Sequence, residues 1–245
     1  GNNNNNKLSL NASISNNVSS IVALITKHQD AKNHLNINIL NPLIENNSKS
    51  KKIKKGLKYL NLDQSSKKII PKKKIKNIFI FFGYKDYRNI FLNLINFIVK
   101  HKRIFNFNII YNFNDPKINK LINSKNLNKE KNISFYNSKK DFLRTLLKND
   151  LAICAGGLTM FQCCMIGMPF FPIPQYSHQI NNIKNLKKMN IYIPNSEYYT
   201  HIKNRTENRI LDFINNFQNR LSQSKLASKS INAKNNKNVI NLILT

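Results

Sequence analysis

Gly156 and Gly157 stand between an apolar run and a helix-forming stretch, with Thr159 and Gln162 just behind them. A second polar group, Ser177-His178-Gln179, follows one short apolar run later. Two glycines let the backbone turn sharply and approach a ligand closely. A helix starting behind them offers free N–H groups and the positive end of its dipole to a phosphate. The hydroxyl, the carboxamides and the imidazole can bond a sugar or a phosphate. Each feature also has a plainer reading. The glycines can be a tight strand-to-helix turn with Thr159 as its cap. Gln162, three residues later, can close a capping box. Ser177-His178-Gln179 can be a loop and helix cap. No Asp or Glu is placed to orient His178 as a general base.

A third loop, Gly83-Tyr84-Lys85-Asp86-Tyr87-Arg88-Asn89, ends another apolar run. Lys85 and Arg88 could meet a diphosphate, and Asp86 could cap the next helix. It is neither a Walker loop nor a dinucleotide fingerprint, because the further glycines are missing. The chain shows no paired carboxylates at catalytic spacing, no nucleophile elbow and no metal-ligand cluster. Its catalytic residues cannot be named from the sequence, and neither a metal nor a cofactor is expected. It offers a binding site more clearly than a reactive one.

The elements that must position these groups can be read from the apolar runs. Residues 78–82, 107–111, 133–136, 150–155, 168–174 and 191–193 read as strands. Between them, Ile90, Leu94, Phe97 and Ile98 share one helical face. Further helices are expected near 116–122, 139–147, 159–166 (amphipathic) and 178–188, with a long helix over 206–221 and closing helices in 224–244. Strands separated by helix-length segments pair in parallel through right-handed crossovers. The fold class expected is α/β, a Rossmann-like three-layer parallel sheet over residues 75–245. Residues 1–34 are Asn-rich and read as disordered or as a remnant segment. Residues 35–74 read as a basic linker, although Leu35, Ile37 and Ile39 alternate as a strand would. Residues 18–26 are apolar without a clear type.

The formal charge is +29, with 40 Lys and Arg against 11 Asp and Glu. Lys is spread along the whole chain beside Asn and Ile, which argues for compositional drift and against a nucleic-acid face. The densest run is Lys51-Lys52-Ile53-Lys54-Lys55. Cys154, Cys163 and Cys164 lack a CxxC spacing and read as buried thiols. No apolar run reaches membrane-spanning length and the amino end lacks a signal-peptide core, so a cytoplasmic protein is expected.

At these residues the chain resembles the C-terminal half of GT-B-type nucleotide-sugar enzymes. It is most similar to the UDP-sugar hydrolases of pseudaminic-acid synthesis and their spore-coat polysaccharide relatives, and more distantly to the peptidoglycan GlcNAc transferase. Gly56-Leu57-Lys58-Tyr59 resembles the family's "G-x-K-Y-x-x-L" at an interdomain crossover. Residues 82–89 resemble "FGGSDPxN". Residues 150–179 resemble "DLAIxAGGxTxxExxxxGxP…xxHQ". Arg220-Leu221-Ser222 with Asn232-Ala233-Lys234-Asn235 resembles "R-x-M-S … D-G-K-G". The resemblance implies a UDP-sugar site lined by Gly83, Asp86, Asn89, Tyr136, Gly156, Gly157, Thr159, Gln162, His178 and Gln179. The family's ribose-binding acid is Gln162 here, Tyr84 replaces a glycine, and Asn232 and Asn235 replace an Asp and a Gly. The family's glycine-rich "GxGHxxR" with the catalytic His has no counterpart in the chain. The function implied is UDP-sugar binding within a hydrolase of surface-glycan synthesis, completed by a separate N-terminal domain or subunit. The alternatives are a glycosyltransferase-like protein acting on a glycan acceptor, and a degenerate, non-enzymatic basic protein associated with RNA.

Overall fold

A computed structural model describes residues 21–24, 37–41, 53–55, 62, 67–83, 86, 88–137, 142–194 and 204–231. The regions 1–20, Gly56–Leu60, Tyr84, Lys85, Tyr87 and 232–245, each carrying an expectation above, lie outside these residues. The described residues fall into two compact units, with strands 21–55 in one and residues 62–231 in the other.

In the first unit, β1 (Ile21–Leu24), β2 (Ile37–Asn41) and β3 (Ile53–Lys55) form a parallel sheet in the order β1-β2-β3. The strand anticipated from Leu35, Ile37 and Ile39 is β2. Its partner β1 is the apolar IVAL run that had no clear type, and β3 lies in the basic stretch. Three residues with one isoleucine carry too little pattern to announce a strand.

The second unit contains a five-stranded, wholly parallel sheet in the order β6-β5-β4-β7-β8. Its strands are β4 (Asn77–Phe81), β5 (Asn106–Tyr111), β6 (Ile133–Asn137), β7 (Leu151–Cys154) and β8 (Phe170–Pro172). Helices α1 (Ile90–His101), α2 (Pro116–Ser124), α3 (Phe142–Leu146), α4 (Leu158–Ile166) and α5 (Ser177–Lys188) alternate with them. This is the α/β alternation read from the sequence. Ile78, Ile80, Phe107, Ile109 and Ile133 meet Leu94, Phe97, Ile98, Ile118 and Ile122 in one core.

Three expectations need correction. Helix α4 is not amphipathic: Met160 through Ile166 are all buried. A helix covered on all sides needs no polar face. The strap before β4 runs over it, with Ile69 N–H donating to the Ile166 carbonyl at 2.7 Å. Second, residues 191–193 form no strand. The buried Gln223 carboxamide takes the place a neighbouring strand would have beside β8. It accepts from Phe170 N–H at 2.8 Å, donates to Phe170 O at 3.0 Å, and also donates to Tyr192 O at 2.9 Å. Third, the long helix over 206–221 is two, α6 (Asn204–Asn215) and α7 (Phe217–Ser230). Asn216 breaks it, because its side chain caps α7 by accepting from Asn219 N–H at 2.9 Å.

Asp150 anchors the start of the central strands. Its carboxylate accepts from the backbone N–H groups of Lys76 (3.0 Å) and Asn77 (2.8 Å) and pairs with Lys72 Nζ at 2.7 Å. Burial raises its pKa, but the bonds from Lys72, Asn77 and Lys76 outweigh burial and hold it below the ordinary 3.8. A depressed folded-state pKa contributes stability above the unfolded value and loses it as the pH falls through the folded value. Asp150→Asn is therefore expected to cost about 1–3 kcal/mol at neutral pH. In urea unfolding, the gap to the parent should shrink as the pH falls from about 4 toward 2. A gap independent of pH would show that the charge does not matter.

Candidate functional site

The strand order fixes where a site can form. From β4 the chain moves outward through β5 to β6, then returns to the other side of β4 for β7 and β8. The sheet therefore changes direction between β4 and β7, and open α/β sheets bind ligands at the carboxyl ends of such a pair. Phe81 pairs with Cys154, and Cys154 with Pro172. The segments after β4, β7 and β8 thus emerge side by side, about 4.8 Å apart per strand. These are the three loops singled out above.

The middle loop is the glycine turn. Gly156 is buried, and a Cβ there would lie 3.1 Å from both Gln179 Cβ and Gln179 O and 3.2 Å from Ile183 Cδ1. Asn182 Nδ2 donates to Gly156 O at 2.9 Å, tying the turn to α5. Gly157 is the residue before α4, with no side-chain cap. Met160 N–H donates to Gly157 O at 3.1 Å, while the amides of Leu158 and Thr159 have no acceptor among the described residues. Leu158 is 53% exposed, so this helix end opens outward. Thr159 lies one residue inside the helix. It is not the cap, and no capping box forms with Gln162. Gln162 itself is 3% exposed and sits among the buried residues of α4, away from the open end.

In the loop after β4, Gly83 has φ +92°, a left-handed value that favours glycine. Asp86 is the cap of α1. Its oxygens accept from Ile90 N–H at 2.9 Å and Phe91 N–H at 2.7 Å. Burial raises its pKa, against the opposing effect of these two bonds. The start of α1 is thus already occupied by a carboxylate, and that of α4 is the open one. Asn89 adopts φ +53° and makes no capping bond.

The loop after β8 bridges all three strands. The buried Gln175 donates through Nε2 to Phe82 O at the end of β4, and its N–H donates to Gln179 Oε1 at 2.7 Å. Its Oε1 is buried with no donor among the described residues. Gln179 is buried too, so it braces the loop, with its Nε2 beside Gly157. His178 is exposed and stacks on Tyr176 at 5.5 Å and 9°. Gln175 was missed in the sequence, where nothing distinguishes it from an ordinary loop residue.

Tyr136 does not join this group. It lies on β6, two strands beyond β4, and its hydroxyl donates to Asn108 Oδ1 at 3.1 Å, two residues back toward the amino ends. The structure thus brings together Gly83, Asp86, Asn89, Gly156, Gly157, Thr159, His178 and Gln179 on three adjacent loops, leaving Tyr136 apart and Gln162 buried.

Three solved structures share this architecture. MurG from Acinetobacter baumannii matches with a TM-score of 0.56 and 16% identity, over 84% of this chain and 60% of its own. TarM matches at 0.59 and 15%, over 92% and 49%. The rhamnosyltransferase SpnG, solved with thymidine diphosphate, matches at 0.52 and 16%, over 84% and 56%. The fold is that of the GT-B glycosyltransferases. At these identities the likeness is one of fold. The chain spans about half to three-fifths of the length of these proteins. No family model matches the sequence, and no curated protein does. Among the described residues no helix is long and apolar enough to cross a membrane.

Proposed function

We propose that this chain is the nucleotide-holding part of a GT-B-type glycosyltransferase and binds a UDP-sugar at the β4–β7 crevice. The observation that carries the reading is the uncapped start of α4. It presents the amides of Leu158 and Thr159, which have no acceptor among the described residues, behind a double-glycine turn at the sheet's direction change. Backbone amides and the helix dipole there suit a diphosphate. The thymidine diphosphate bound to SpnG supports a nucleoside diphosphate as the ligand class. Transfer to an acceptor is favoured over hydrolysis because SpnG is a rhamnosyltransferase and MurG and TarM share the glycosyltransferase fold; the UDP-sugar hydrolase is the alternative that the sequence resemblance supports. Catalytic groups come from outside the three loops, since their one carboxylate, Asp86, is committed to α1.

Calorimetric titration with UDP and UDP-GlcNAc tests the site. Binding is expected at micromolar to low-millimolar Kd. Gly157→Ala adds a Cβ only 3.5 Å from Gln179 Nε2, an ordinary contact, so the variant folds. It puts a methyl group beside the open amides and should weaken binding by about tenfold or more, roughly 1.4 kcal/mol. Equal affinity in parent and variant would move the nucleotide elsewhere. With a bound UDP-sugar in hand, release of free sugar rather than a glycosylated acceptor would favour hydrolysis.

A further inference from the structure

A cavity of about 620 Å³ lies at the opposite edge of the sheet from the β4–β7 crevice. It sits where β4, β5 and β6 begin, and its floor departs from what a parallel sheet requires. Such sheets are covered on both faces, and their strands are apolar on both. Here Asn77, Asn106, Asn108 and Ser134 occupy one face at the amino ends and are only half-buried. Their neighbours Ile78, Phe107, Ile109 and Ile133 face the core.

The polar floor is pre-oriented. Asn106 Nδ2 donates to Asn77 Oδ1 at 2.9 Å, and Asn108 Nδ2 donates to Asn149 Oδ1 at 2.9 Å. Asn132, at the rim, donates to Lys102 O at 2.8 Å. Asn77, Asn106 and Asn132 each keep bonding capacity beyond these contacts. The rim is cationic. Lys76, Arg103 and Lys131 precede β4, β5 and β6, and none has an ion-pair partner among the described residues. The two carboxylates at this edge are already engaged, Asp150 by Lys72 and Glu130 by Lys102. Three unneutralised cations around one cavity repel one another and favour an anion between them. Carboxamides and a hydroxyl beneath them suit hydroxyl groups.

We infer that this cavity is a second ligand site, for a small phosphorylated sugar, separate from the nucleotide crevice. Its volume falls within the range of small-molecule sites. The only non-polar residues in its lining are Ile104 and Phe107, and Phe107 is buried, so no exposed ring is offered to a nucleobase. Stacking on exposed aromatics is how single-stranded nucleic acid is usually held. That favours a sugar phosphate over RNA.

The test titrates the full chain with fructose 1,6-bisphosphate and follows the side-chain amide signals of asparagine by NMR. Binding is expected to move the Asn106 and Asn132 signals. The double variant Arg103→Gln/Lys131→Gln, altered only at exposed positions, should bind at least about tenfold more weakly. UDP titration should be the same in both proteins, which separates this site from the crevice. The inference is overturned if the bisphosphate does not bind. It is overturned equally if inorganic phosphate binds as tightly, since the sugar would then contribute nothing. An RNA oligonucleotide that displaces the bisphosphate at lower concentration, and depends on Arg103, would overturn it in favour of nucleic acid.

Discussion

Arg220→Ala is expected to lower the melting temperature by about 10 °C or more, or to abolish soluble expression. The guanidinium is fully buried and no carboxylate pairs with it among the described residues. Four backbone carbonyls hold it instead. Nη1 donates to Phe213 O at 3.2 Å and to Ile214 O, while Nη2 donates to Lys72 O and Lys73 O, each at 2.8 Å. Phe213 and Ile214 are in the last turn of α6, where the helix dipole presents its negative end. Burial draws the Arg220 pKa below the ordinary arginine value, yet an arginine stays charged in a protein. One side chain thereby closes the end of α6 and fixes the strap that enters β4. Alanine leaves these acceptors without a donor beside a new void, and each such acceptor costs about 1–3 kcal/mol where water cannot reach it. Arg220→Lys keeps the charge but not the planar fork, and should recover only part of the loss. Thermal unfolding followed by circular dichroism decides it. A melting temperature within about 2 °C of the parent in the alanine variant would mean that the carbonyls find other donors.

The second large effect is expected at Gly156, and it differs in kind from the effect at Gly157. An added Cβ at Gly156 would be 3.1 Å from the backbone carbonyl of Gln179 and 3.1 Å from its Cβ. Neither is the end of a flexible side chain, so α5 or the turn must shift. That shift would strain the 2.9 Å bond from Asn182 and the brace between Gln179 and Gln175. Gly156→Ala should therefore lose about 1–3 kcal/mol of stability, as overpacked sites do. It should lose nucleotide binding as a consequence. Gly157→Ala should lose binding alone. Urea unfolding and UDP titration on both variants separate the two outcomes. Equal stability of Gly156→Ala and the parent would remove the structural role assigned to α5.

The fold was legible because the apolar runs are long and sharply bounded. The runs at 78–82 and 107–111 became β4 and β5, and the strand order followed from the helices between them. The glycine turn was legible for the same reason, since it interrupts a continuous apolar sequence. What could not be read depended on single polar side chains acting at a distance. Gln223 occupies a strand's bonding positions from a helix more than fifty residues later. Gln175 joins the ends of β4 and β8 over the strand between them. Asn216 ends a helix that hydropathy alone runs straight through. Gln162 shows the converse, because helical spacing placed it near Thr159 but gave no sign that α4 is enclosed all round from Met160 onward. The cavity at the amino ends went unnoticed because its asparagines are scattered in an asparagine-rich chain. Only the register of three strands brings them together.

The Gln223 clasp has a consequence for the sheet as a whole. An edge strand with free N–H and C=O groups is a template on which another chain can add. The side of β8 away from β7 offers no such template at Phe170, because both backbone groups there are held by the carboxamide. A three-residue strand closed at its first residue, with a proline lacking an N–H at its last, cannot start a growing ladder. One glutamine from α7 thus ends the sheet on that side and protects the fold from strand-by-strand self-association.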